Sequence, residues 1–374
     1  MATLYPNLIL ETLRGVRYPG NGKNVVELGM IEDDIRIDGN NVSFSMIFDK
    51  PTDPFIKSVV RSAEAEINRV LGPEVEIKDH IAVKYRQPVV EKPKMLPGVK
   101  NIIGVSSGKG GVGKSTVAAN LAVALAAAGH KVGLLDADIF GPSMPKMFGV
   151  EDEQIYMVNK EGRDWIEPIE RYGVRMLSIG FLVDKEKPVL WRGTMASNAL
   201  RQLISDAWWG ELDYFLIDMP PGTSDIHLTL VQSLGITGVV VVTTPQEVAL
   251  ADARKGIAMF TDPKVNVPIL GLVENMAWFT PESHPDEKYY IFGKDGGKEL
   301  AEKEGVELLA RIPLVMGIRE KADNGSPAAC KLLTDPADAD AEALAFGALA
   351  DAVVGAVARR NQDLPPTEAV KMKH

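Results

Sequence analysis

Between residues 108 and 116 the chain reads Gly-Lys-Gly-Gly-Val-Gly-Lys-Ser-Thr, and positions 108–115 fit the pattern G-x-x-x-x-G-K-[ST]. Gly108, Gly110, Gly111 and Gly113 let a backbone wrap around an anion with its N–H groups turned inward, and Val112 sits among them. Lys114 is placed to reach the β- and γ-phosphates of a nucleotide. Ser115 offers its hydroxyl to Mg²⁺, and Thr116 supports a phosphate contact. Such a loop needs a strand before it and a helix after it, because the first helical turn adds partial positive charge. Both are present: an apolar run over 101–106, then Val117, Leu121, Leu125 and Ala128 at helical spacing. The ligands implied are ATP and Mg²⁺.

Two carboxylate motifs follow. Gly133-Leu-Leu-Asp136-Ala-Asp138 ends a second apolar strand, and in an extended chain residues two apart point the same way. Tyr214-Phe-Leu-Ile-Asp218 is a strand of four apolar residues ending in an acid, which suits Asp218 to hold Mg²⁺ through a water. Pro220-Pro221-Gly222-Thr223 then forms a stiff turn able to sense a terminal phosphate. Asp225 suits the N-cap of the next helix.

The elements that must position these groups form a parallel sheet. Strands are expected at 101–106, 131–136, 174–179, 214–218, 238–243, 268–273 and 307–312, with helices between most of them. Apolar strands alternating with helices imply a mostly parallel α/β sheet covered on both faces, with the ligand at the carboxyl ends of the strands. This unit runs from 101 to about 361. Residues 87–100 hold three prolines and read as a linker. Residues 1–86 read as a small separate α/β domain: a helix at 6–16, strands at 25–37 and 42–48, a helix opened by Pro54, and a strand at 75–85. The segment 362–374 reads as a flexible tail.

Composition sets limits on partners and compartment. The 374 residues are 45% hydrophobic and 25% charged, with a net charge of −10. That balance argues against a general nucleic-acid binder, since a polyanion needs a basic surface. The single cysteine, Cys330, cannot form an intramolecular disulfide. The N-terminal residues lack the layout of a secretory signal, and the apolar run 117–129 is too short to span a bilayer. A cytoplasmic protein without a membrane or nucleic-acid partner is expected.

The early lysine, Lys109, resembles that of the deviant Walker A group of P-loop proteins, K-G-G-V-G-K-[ST]. Asp136-Ala-Asp-Ile-Phe-Gly-Pro-Ser143, Trp191-Arg-Gly-Thr-Met195, Trp209-Gly-Glu-Leu-Asp-Tyr214, Asp218-Met-Pro-Pro-Gly-Thr223, Glu274-Asn-Met276 and Ile291-Phe-Gly293 resemble its Mrp/ApbC branch. Residues 1–86 resemble the small iron–sulfur-assembly-associated domain fused in that branch. The resemblance implies ATP-hydrolysing carriers that pass iron–sulfur clusters to apoproteins and dimerise across the nucleotide. It implies that Lys109 contacts phosphate in the partner subunit, and that Asp138 positions or activates the attacking water. Asp136 would support the magnesium shell or the loop geometry, Asn275 would read the adenine edge, and the chain at Pro313 would close over the base.

The chain departs from the branch where a cluster would sit. A Cys-x-x-Cys pair usually follows the Glu-Asn-Met strand, but residues 279–290 contain no cysteine, and Asp53 stands where the small domain often has one. Cluster irons commonly take four thiolates. A homodimer offers two, both Cys330. Glu282, His284 and Asp286 are the oxygen and nitrogen alternatives in that segment. A second reading follows from the same loop: a nucleotide-switched dimer of the MinD/ParA kind, which positions or regulates a partner without a cluster. Its expected amphipathic or basic tail is not evident in residues 361–374. An electron-transfer ATPase like the nitrogenase iron protein needs interface cysteines, and a kinase needs an acceptor motif. The chain shows neither.

Overall fold

The structure is a computed structural model describing residues 4–77, 79–86, 95–139, 141–182, 193–281, 283–284 and 286–369, with 193 and 194 described by backbone alone. Its contacts divide into two units, residues 1–92 and 93–374.

In the first unit, α1 (Pro6–Leu13), β1 (Arg36–Asp38), β2 (Asn41–Phe48), α2 (Ile56–Leu71) and β3 (Ile81–Tyr85) follow in order. β2 is central, antiparallel to β1 and parallel to β3. Val42, Phe44, Met46 and Phe48 alternate into a core with Val59, Ala63 and Ile67 of α2. The long strand expected over 25–37 is not formed. Residues 25–30 turn back on themselves (Gly29 N–H to Val26 O, Met30 N–H to Val25 O), and Gly29 takes φ +60°. The Asp34 carboxylate then receives the Ser45 N–H and hydroxyl, doing with a side chain what a ladder would do. The strand expected over 75–85 shortens to Ile81–Tyr85 after a turn with Asp79 at φ +63°.

In the second unit the order is β4 (Val99–Ser107), α3 (Lys114–Ala127), β5 (Val132–Asp136), α4 (Met144–Met147), β6 (Met157–Lys160), β7 (Arg163–Ile166), β8 (Ile169–Arg171), β9 (Val174–Ser178), α5 (Gly193–Ser205), β10 (Leu212–Asp218), α6 (Asp225–Ser233), β11 (Gly238–Thr243), α7 (Glu247–Thr261), β12 (Ile269–Glu274), α8 (Gly296–Glu304), β13 (Leu308–Arg311), α9 (Met316–Asp323), α10 (Cys330–Thr334) and α11 (Ala341–Asp363). Eight strands make one sheet in the order β13-β12-β11-β4-β10-β5-β9-β8, parallel except for the edge strand β8. The residues of each strand alternate between two cores. Ile103, Leu134 and Leu216 pack with α3 and α11, whereas Ile102, Leu135 and Phe215 pack with α5, α6 and α7.

β4 begins at Val99, inside the stretch read as linker. Of that stretch, residues 87–94 lie outside the described residues. α3 is buried on every side rather than on one face, because the sheet lies beneath it and α10 and α11 lie above. α11 is long and apolar enough to cross a membrane, yet Phe346, Leu349, Val353 and Val357 are buried in the core it shares with α3. It ends at Asp363, two residues beyond the expected domain boundary. Arg360 then holds the following chain by donating to the Pro365 carbonyl and Thr367 Oγ1.

Candidate functional site

The loop expected to hold phosphate leaves the carboxyl end of β4, beside β10 at the centre of the sheet. Gly111 and Gly113 adopt φ +83° and +81°, conformations costly for any residue with a Cβ. Gly108 is fixed by crowding, since a Cβ there would stand 2.1 Å from the Asp252 backbone on α7. Gly110 and Gly111 are exposed, and Val112 is buried. α3 then starts at Lys114 with Ser115 and Thr116 in its first turn.

Four of the expected residues converge. The Lys114 ammonium, 5% exposed, lies 2.6 Å from Asp218 Oδ1 and 3.7 Å from Asp138 Oδ2. The Ser115 hydroxyl donates to Asp218 Oδ2 at 2.6 Å. Asp218 is fully buried. Burial raises its pKa, while Lys114 and Ser115 pull it back. Lys109 is partly exposed and has no ion pair among the described residues.

Asp136 departs from the expectation that it shares a direction with Asp138. It is the register partner of Asp218 on the neighbouring parallel strand. Its oxygens accept from Ser178 Oγ at 2.8 Å and from the N–H groups of Asp138 and Met144 at 3.2 Å. The chain turns immediately after β5, so Asp138 faces Lys114 while Asp136 braces the turn. Burial and the adjacent Asp218 push Asp136 up to about 7, against the pull of its three donors.

Asn275 and Pro313 come from adjacent segments, joined where Ala277 N–H donates to the Ile312 carbonyl. The Asn275 amide, expected at a base edge, donates to the Val112 carbonyl at 2.8 Å and so pins the loop. The preceding Glu274 is buried and accepts from Arg311 Nε at 2.8 Å and from Gly297 N–H at 2.6 Å. Ser178 carries no motif signal in the sequence, and Glu274, although it opens the quoted Glu-Asn-Met motif, carries no role there. Both are recognisable only once adjacent strands are in register. The N-cap of α6 is Ser224 rather than Asp225, which is the first helical residue. The cap pairs with His227, outside the usual S/T-x-x-E/Q signature.

The segment that replaces the Cys-x-x-Cys region is closed by paired backbone bonds between Phe279 and Tyr289, both 2.8 Å. His284 is exposed, with Nδ1 3.8 Å from Glu287, and Glu282 lies outside the described residues. Among the described residues no group of three or more His, Cys, Asp or Glu is placed to hold a metal. Asp53 accepts from the Tyr18 hydroxyl and from Phe55 N–H, so its oxygens serve the entry to α2. Cys330 is buried, and burial pushes its thiol up to about 11. Phe140, Trp191 and Arg192 of the quoted motifs lie outside the described residues.

A central parallel sheet with a glycine loop entering α3 and an acid ending the adjacent strand defines a P-loop NTPase. Residues 98–353 match the NUBPL iron-transfer P-loop NTPase family, and residues 7–78 match the iron–sulfur cluster assembly protein family. A Synechocystis protein named iron–sulfur cluster carrier protein is 43% identical over 355 residues, 95% of this chain and 98% of that one. One of the same name from Aquifex aeolicus is 44% identical over 340 residues, 85% of this chain and 88% of its own. A nucleotide-binding protein from Archaeoglobus fulgidus, solved in complex with ADP, is 39% identical at a TM-score of 0.54, over 62% of this chain and 88% of that one. The chain therefore belongs to the iron-transfer P-loop NTPase family, which favours the Mrp-type reading over the MinD-like one.

Proposed function

We propose that the chain binds ATP with Mg²⁺, hydrolyses it, and uses the cycle to deliver iron–sulfur clusters to apoproteins, as a cytoplasmic homodimer closing across the nucleotide. The observation supporting this most directly is the convergence of Lys114, Ser115 and Asp218 within 3.2 Å of one another. Asp218 and Ser115 fit Mg²⁺, because a carboxylate and a hydroxyl are the hard oxygen donors that ion takes. When bound, it neutralises charge on the β- and γ-phosphates.

The remaining work falls to the chain. The N–H groups of the loop and the first turn of α3 receive the phosphates. Lys114 exchanges Asp218 for a phosphate oxygen. Asp138, 3.7 Å from Lys114, orients the attacking water. Lys109, free of an ion pair among the described residues, serves the partner subunit's nucleotide as an arginine finger would. The cluster is cargo, and its thiolates come from the client or an assembly partner, since the one thiol here is buried and protonated.

Two assays test this. Mg²⁺-dependent ATP turnover by the parent chain that vanishes in Lys114→Ala supports the ATPase, and absence of turnover in the parent removes it. Anaerobic transfer of a cluster from a donor protein to an apoprotein should accelerate with this chain and ATP. No acceleration removes the delivery role.

A further inference from the structure

α6 starts directly after the Pro220-Pro221-Gly222-Thr223 turn that leaves Asp218, and the third residue of this helix is His227. The imidazole is 0% exposed and stands edge-on to Phe260 of α7, with ring centroids 6.0 Å apart. Nδ1 accepts the Ser224 N–H at 3.1 Å and lies 3.1 Å from Ser224 Oγ. Accepting an N–H fixes the lone pair on Nδ1. Burial lowers the ring to about 4 and keeps it neutral. The proton is therefore on Nε2.

That Nε2–H is buried and has no hydrogen-bond partner among the described residues. A buried donor left unpaired is a standing cost that native structures rarely carry without a reason. The Pro220 backbone favours the charged ring, as a carbonyl facing its N–H does, without closing a hydrogen bond to Nε2. One ring thus spans both ends of the turn: Nδ1 holds Ser224, and Nε2 faces Pro220. The middle of the turn is tied to the strand that carries the phosphate loop, through Gly222 N–H to the Ser107 carbonyl at 2.9 Å.

We propose that His227 is a positioning residue for ATP turnover, whose Nε2–H takes the Pro220 carbonyl when nucleotide draws the turn in. This contact then locks the segment from Asp218 to Ser224 in its working geometry. The inference rests on the proposed ATPase reading. It adds a residue that touches neither nucleotide nor metal and acts through the turn.

The test uses the full chain. His227→Phe keeps the ring packing and removes both nitrogens. His227→Gln restores an acceptor for Ser224 N–H, as in the usual capping box, and an amide donor for Pro220. Displacing a turn that orients reacting groups should lower kcat about tenfold or more in His227→Phe, with KM for ATP changed less than about threefold, and His227→Gln should recover most of the loss. Equal losses in kcat and ATP affinity, or a parent kcat in His227→Phe, would overturn the proposal. A second measurement needs no variant. In chain labelled with ¹⁵N-histidine, adding a non-hydrolysable ATP analogue with Mg²⁺ should move the His227 Nε2–H resonance downfield and slow its exchange. An unmoved resonance with the analogue bound would also overturn it. If the parent turns over no ATP, the ATPase reading falls, while the resonance still decides the contact.

Discussion

Asp136→Asn should stabilise the ligand-free chain at pH 8 and lose that advantage toward pH 5. Asp136 and Asp218 are register partners on neighbouring parallel strands, both fully buried. Burial, followed by the charge of Asp218, raises Asp136 from 3.8 to about 7. The folded state therefore binds more protons than the unfolded chain between those values. Stability falls as pH rises through that window and levels off above about 7. A difference of about three pH units corresponds to about 4 kcal/mol. Asparagine removes that charge but turns an NH₂ toward groups that donate to Asp136, namely Ser178 Oγ and the N–H of Asp138 and Met144. That mismatch costs about 1–3 kcal/mol. The net gain at pH 8 is about 1–3 kcal/mol, and at pH 5, where the parent carboxyl is protonated, it is about zero or negative. Thermal melts of parent and variant, without nucleotide or metal, should differ by about 2–6 °C at pH 8 and converge by pH 5. A melting difference that stays constant from pH 5 to 8 would refute the claim that repulsion between these two acids is built into the resting site.

Lys114→Ala strips the cation from Asp218 and Asp138 and should destabilise the resting chain by about 3–5 kcal/mol in chemical denaturation, because it leaves a buried carboxylate unpaired. Lys109→Ala breaks no ion pair among the described residues, so stability should stay within about 0.5 kcal/mol. ATP binding should persist in that variant while turnover falls, and turnover at the parent rate would end the cross-subunit role. Asn275→Ala orphans the Val112 carbonyl and should weaken nucleotide binding about tenfold. Equal losses for ATP and GTP identify loop anchoring, and a loss for ATP alone identifies base reading. Cys330→Ala should leave cluster transfer unchanged at a stability cost of about 1–2 kcal/mol, since the thiol is buried in the core and protonated.

The phosphate loop was legible because its glycines answer local constraints. Gly111 and Gly113 adopt positive φ, whereas Gly108 answers a tertiary constraint, since a Cβ there would stand 2.1 Å from the Asp252 backbone of α7. The apolar strands were legible for a similar reason: a strand buried on both faces is a continuous hydrophobic run. What failed to read out is tertiary. The short edge strands β6, β7 and β8 are half-exposed and carry Lys160, Arg163, Glu170 and Arg171, so no apolar run announces them. The turn over residues 25–30 looks like a strand by residue type and is overruled by Gly29 and by the bonds that Asp34 makes to Ser45. For Asp136 the family resemblance leaves two roles open, the magnesium shell or the loop geometry. Only the Ser178 hydroxyl, 42 residues away, shows it bracing the turn.

The same contrast bears on cargo. On the nucleotide side the chain brings Lys114, Ser115 and Asp218 together, leaving to the partner subunit only the contact proposed for Lys109. From buried Glu274, the last residue of β12, the chain continues to Asn275, which holds the loop through Val112, and then to Phe279, which pairs with Tyr289. One short segment therefore joins the phosphate loop to the surface where the resembled branch places its cysteines. Here that surface is closed by backbone hydrogen bonds and offers no thiol. On the proposed reading, a nucleotide-driven shift of the loop would reach a face that offers iron no sulfur. Cluster stoichiometry in a mixture with an assembly partner should accordingly follow the partner's cysteines. A cluster retained by this chain alone after gel filtration, with Cys330 substituted, would show that its ligands are the oxygens and nitrogens of the 279–290 segment instead.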